Sequence, residues 1–231
     1  MNPPPIHPAP STSASPSSRA AGYWLIVLAV LTVAFMAMHP TSGTHDTGEF
    51  VARAASGIPG NAAVHGVLIV LMLLMASCFL ALRDALGPRR LIVRVGMVAL
   101  IVGTAGWGVA GLINGFIVPG VAARFAGAEA SVIEALRPVL VLAGEANAAC
   151  ARVSVLGLSL TAALWSIRLL ATQGWRRGAG VAGLVCGVLP VGLLATGNLP
   201  MNVAGFGLFV VLHAVWAALA GLVLVRSRAD A

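Results

Sequence analysis

The sequence predicts an all-α fold: a polytopic membrane bundle of six transmembrane helices with both termini in the cytoplasm. Three observations predict it. Of the 231 residues, 59% are hydrophobic and only 9% charged, against roughly 25% charged in a soluble domain. Six apolar runs each approach or exceed the about 20 residues that a bilayer crossing needs. The arginines of the short connections fall mostly on one side of those runs, the pattern that sets membrane orientation.

Composition also narrows the function. The net charge of +7 comes from 14 Arg and no Lys against 7 acids. A basic balance can signal nucleic acid. Here the arginines stand at the ends of apolar runs, so they report orientation and no nucleic-acid partner is expected. Cys78, Cys150 and Cys186 lie inside apolar runs and form no paired spacing, so they read as small buried hydrophobes.

Residues 1–20 are rich in Pro and Ser, with Arg19 as the only charged side chain. Such a segment buries too little apolar area to offset its ordering entropy, and a disordered cytoplasmic tail is expected. The transmembrane domain then covers residues 21–226, and 227–231 form a short second tail. The first run, 22–39, ends in Met38-His39-Pro40 rather than a small-residue cleavage site, so it reads as a retained helix and not a signal peptide.

The spans are predicted at 22–39, 61–82, 91–118, 138–171, 178–197 and 201–225. The third and fourth exceed the required length and should tilt or project from the bilayer. With the N-terminus inside, ten arginines are internal: Arg19, Arg83, Arg89, Arg90, Arg94, Arg168, Arg176, Arg177, Arg226 and Arg228. Three are external: Arg53, Arg124 and Arg137. Arg152 is left within a span. An odd number of spans would destroy this alternation.

Two external connections carry helix-start signals. Asp46-Thr47-Gly48-Glu49 resembles a capping box, and Ser131-Val132-Ile133-Glu134 repeats the pattern. Each predicts a short amphipathic helix at the interface. Gly111-xxx-Gly115 and Gly183-xxx-Gly187 are small-residue patterns that let helix backbones approach. Pro190 interrupts span five and should kink it. Tyr23, Trp24 and Trp175 fit interfacial anchors.

Few polar groups lie within the spans, and they are the functional candidates. Glu145 is the sole acid inside a span and Arg152 the sole deep base. Seven residues separate them, about 10.5 Å along one helical face. Charges in hydrocarbon are expensive and mark either a structural pair or a functional site. His65 lies one turn into span two, His213 near the middle of span six, and Asn114 near the external end of span three. Asn147, Asn198 and Asn202 complete the polar set, as pocket lining or as helix caps.

His39, His45 and His65 gather near one external surface, with Asp46 and Glu49 beside them. Imidazole and carboxylate ligands suit Zn or Cu, and the sulfurs of Met36 and Met38 would favour copper. The spacing fits no established metal motif. A bis-His haem b would need His213 and a second histidine at equal depth, and His65 sits nearer the outer surface. No nucleophile elbow, phosphate loop or dinucleotide fingerprint is present.

The leading expectation is therefore a non-enzymatic, multi-pass protein of a bacterial inner membrane. An outward-facing polar pocket of Glu145, Arg152, His65, His213 and Asn114 would serve a small solute, an ion or a proton relay. Two alternatives remain: a metal or haem redox module on His39, His65 and His213, and a structural subunit or homo-oligomer packing through its glycine-rich faces.

Overall fold

The computed structural model describes residues 16–39 and 46–226. Within them the chain is helical, with no strand. The elements are α1 (Pro16–Ala37), α2 (Thr47–Ser56), α3 (Ile58–Leu86), α4 (Leu91–Leu112), α5 (Val118–Phe125), α6 (Ala130–Ala135), α7 (Arg137–Leu170), α8 (Trp175–Ala195) and α9 (Val203–Arg226). A π-helical turn, Ile113–Ile117, joins α4 to α5. Six helical runs are long and apolar enough to cross a membrane, as expected of an integral membrane protein.

Residues 1–15, 40–45 and 227–231 lie outside the described residues. The expected tail of 1–20 is corrected at its end. Helix α1 begins at Pro16, where proline is tolerated because a first-turn N–H has no helical partner.

The six long elements form a ring. Each packs on its neighbour in chain order, α1 on α3, α3 on α4, α4 on α7, α7 on α8 and α8 on α9, and α9 closes against α1. Helix α1 shows how a uniformly apolar sequence is divided. Leu25, Leu28, Ala29, Thr32 and Met36 are buried along one stripe, while Tyr23, Trp24, Val27 and Val30 are exposed. Every long helix carries exposed large apolar side chains, among them Val70, Val98, Leu142, Val185 and Val211. Apolar surface of this extent suits lipid, not water.

Without a hydrophobic force between helices in lipid, close backbone packing must hold the ring. Glycines supply it. A Cβ on Gly157 of α7 would stand 2.6 Å from the Gly103 nitrogen of α4. One on Gly22 of α1 would stand 2.6 Å from the Gly221 oxygen of α9. Gly187 seats α8 equally tightly, since its Cβ would stand 2.6 Å from the Ala163 nitrogen. The α1–α9 contact also puts the start of the first span beside the end of the last. Arg226 there covers the ring of Trp175 at 5.2 Å, so the basic connections share one end of the bundle.

The opposite end carries the longer connections, where α2 packs on α5 and α6. Asp46 caps α2 as its sequence predicts, its side chain accepting from the Glu49 N–H at 2.7 Å. The second capping pattern fails. Helix α6 starts at Ala130 with Glu129 at its cap position and no side-chain cap bond, which puts Ser131 inside the helix.

Candidate functional site

The interior of the ring has two contrasting halves. Towards the basic end it is filled by rings. Phe79 of α3, Trp165 of α7 and Trp216 of α9 are almost fully buried, and Phe79 stacks on Trp216 with centroids 4.7 Å apart. Trp165 Nε1 donates to the Val93 carbonyl of α4 at 3.1 Å. Towards the other end lies a cavity of about 150 Å³, a volume that in an engineered apolar core admits benzene.

Five of the six spans wall this cavity; only α8 is missing. Its polar lining is His39, His65, Asn114, Asn147 and Asn202, and its apolar lining includes Met36, Trp107, Met201 and Phe206. Among the described residues no acid and no arginine lines it.

At its centre two imidazoles meet. His39 Nε2 and His65 Nε2 are 3.0 Å apart, the rings edge-on with centroids 4.6 Å apart. His65 Nδ1 lies 2.9 Å from the Asn61 carbonyl, one turn earlier on α3. A carbonyl only accepts, so Nδ1 carries the proton and Nε2 presents its lone pair to the cavity. That lone pair accepts from Asn114 Nδ2 at 3.2 Å.

The π-helical turn explains why Asn114 is available. Pro119 follows it and has no N–H. The Gly115 carbonyl thereby loses its α-helical partner, and the Asn114 carbonyl loses the partner a continuing π-turn would offer. Val118 N–H bonds to the Ile113 carbonyl. The Asn114 carbonyl accepts instead from Asn61 Nδ2 at 2.8 Å. Asn61 and Asn114 thus lock α3 to the turn while each holds His65 through its other group. Gly115 completes the seat, because any Cβ there would run into the His65 Cβ.

Compared with known proteins, the chain matches no family model, no curated protein and no solved structure. Its function must be read from the site.

Of the pocket residues expected from sequence, His65 and Asn114 line the cavity and the others do not. Glu145 and Arg152 are both exposed on α7, neither reaches the lining, and the ion pairs at Arg53–Glu49, Arg83–Asp84 and Arg137–Glu134 do not include them. Seven residues give nearly the same face, but that face of α7 points away from the ring. His213 is buried among Phe79, Phe209 and Trp216. Its Nε2 has no hydrogen-bond partner among the described residues.

Of the expected metal ligands, His39 and His65 are adjacent and His45 lies outside the described residues. Met36 lines the cavity, whereas Met38 is 66% exposed. Haem fits poorly: His213 does not reach the cavity, and the space suits a molecule far smaller than a porphyrin. Asn202 both lines the cavity and caps α9, its Oδ1 accepting from the Gly205 N–H at 3.0 Å. Asn61 and Met201 were missed. Asn61 stands four residues before His65, the spacing from which a backbone carbonyl meets a helical side chain. Met201 carried no signal at all.

Proposed function

We propose that this chain is a multi-pass protein of a bacterial inner membrane, with both termini cytoplasmic and its cavity open to the outside. Its role is to hold a small solute or ion through the His39–His65 pair. The paired Nε2 atoms inside a five-helix cavity carry this reading. Two imidazoles and three amides form a neutral, hydrogen-bonding lining, and the apolar walls give a small ligand contact area. The arginine bias supports the orientation, because the basic connections lie at the end of the ring away from the cavity. Proton transfer between the imidazoles is the simplest relay the site supports, since Glu145 and Arg152 stand outside it.

One experiment tests both cavity and orientation. In a background with Cys78, Cys150 and Cys186 replaced by Ala, Asn147→Cys is expected to react in intact cells with a small membrane-impermeant methanethiosulfonate. Arg177→Cys, at the basic end, is expected to stay protected. Reaction at Arg177→Cys alone would invert the orientation, and silence at Asn147→Cys would remove the accessible cavity.

A further inference from the structure

We infer that the cavity is a binding site for a soft monovalent metal ion, with copper(I) as its natural class, held by His39, His65, Met36 and Met201. This rests on the cavity reading above and names its ligand.

The argument starts from donor chemistry. Two imidazole nitrogens in hydrogen-bond contact at 3.0 Å need to part by only a few tenths of an ångström to reach the roughly 3.3–3.4 Å of neighbouring ligands on one ion, given metal–nitrogen bonds of about 2.0–2.1 Å. His65 is oriented as a ligand, and an ion would displace the Asn114 and His39 contacts of its Nε2. Its Nδ1–H is held by the Asn61 carbonyl at 2.9 Å, the outer bond that fixes the tautomer and turns the other nitrogen to a metal. Asn61 is fixed in turn by the Asn114 carbonyl at 2.8 Å, so the ligand's orientation is set before any ion arrives.

The remaining donors decide which ion. Met36 lies three residues before His39 on α1, and Met201 enters from the connection before α9; both line the same cavity. Thioethers are soft and select copper(I), while imidazole accepts copper as well as zinc. Among the described residues no carboxylate lines the cavity, and hard divalent ions depend on oxygen ligands. A fully neutral donor set also leaves the whole charge of the ion uncompensated. Burying one such charge costs much less than burying two, which favours a monovalent ion over Zn(II) or Cu(II). Loading needs no electron transfer: the ion enters as copper(I), His39 shifts its proton from Nε2 to Nδ1 by tautomerisation, and the ion exchanges its solvent ligands for the four side chains.

The test uses the purified full chain in detergent, without oxygen, titrated with copper(I) against a chromogenic copper(I) chelator. One equivalent is expected to bind, silver(I) to compete for it, and Zn(II) to bind at least about 100-fold more weakly. His65→Ala and His39→Ala are expected to lower copper(I) affinity by about 100-fold or more. Met36→Leu and Met201→Leu keep side-chain volume and are expected to lower it by about 10-fold each. X-ray absorption of the loaded protein should show sulfur as well as nitrogen around copper, which keeps the test decisive if a histidine variant fails to fold. Absence of stoichiometric copper(I) or silver(I) binding would overturn the assignment. So would affinity unchanged in both methionine variants, or a shell of nitrogen and oxygen alone. Loss of metal binding with Asn147→Cys still labelled would remove only the soft-ion assignment, whereas loss of that labelling would remove the accessible cavity.

Discussion

His213 and His65 are both buried in the interior of the same ring, at 5% and 4% exposure, yet their surroundings are opposite. His213 sits in the aromatic half, flanked by Phe79, Phe209 and Trp216, with Nε2 unpartnered among the described residues. His65 sits in the cavity half, with Asn61, Asn114 and His39 all within hydrogen-bond distance. One is a ring among rings and the other is held by hydrogen bonds. The comparison teaches that a histidine in a span is not by itself a site. What separates the two is a second polar layer, here supplied by a proline-driven π-turn and an asparagine one helical turn away.

The largest effect should come from the aromatic half, because its rings fill the core between the helices that the glycine crossings bring together. Trp165→Ala removes a fully buried indole and its hydrogen bond to the Val93 carbonyl. A destabilisation of about 3–5 kcal/mol is expected, read as a large fall in Tm in detergent. A shift of only a degree or two would show that the glycine crossings, not the rings, hold the bundle.

Histidine exchange should separate the two halves more finely. His65→Phe leaves the Asn114 amide without this acceptor and the Asn61 carbonyl with its helical bond alone, and an unsatisfied buried group costs about 1–3 kcal/mol. His213→Phe replaces an unpartnered polar ring by an apolar one among aromatic neighbours, so its stability should match or exceed the wild type. Parallel thermal unfolding of the two variants checks this. Equal losses would erase the distinction between the halves.

The smallest effect concerns a pair that belongs to neither half. Glu145 and Arg152 face outward from α7 and form no ion pair among the described residues. Glu145→Gln and Arg152→Gln should therefore be additive, with a coupling of less than about 0.5 kcal/mol in a double-mutant cycle. A larger recovery in the double variant would show that the two charges compensate one another.

Much of the fold was legible because each feature depends on local composition. The six spans follow from run length, and the Asp46 cap of α2 from a short-range hydrogen bond. The site was only partly legible. His39 and His65 stood out as polar groups near one surface. Glu145 and Arg152 misled because run length shows that a residue is in a long helix but not which face turns inward. All six spans are apolar on every side, so periodicity, which separates inside from outside in a soluble helix, separates nothing here. Met201 could not be found in advance, since it reaches the cavity only because α9 closes against α1.

By itself, then, the sequence determined the apolar character of the chain, the number of helices competent to cross a membrane and the unequal sharing of arginines among the connections. Each is a sum over many residues or a bond within one turn. Tertiary structure alone decided which polar groups share a cavity. That choice rests on helix rotation and on backbone approach at pairs such as Gly103–Gly157 and Gly22–Gly221. In a bundle surrounded by apolar surface, the inward face is selected by close packing rather than by hydrophobicity, and packing is a property of two helices at once.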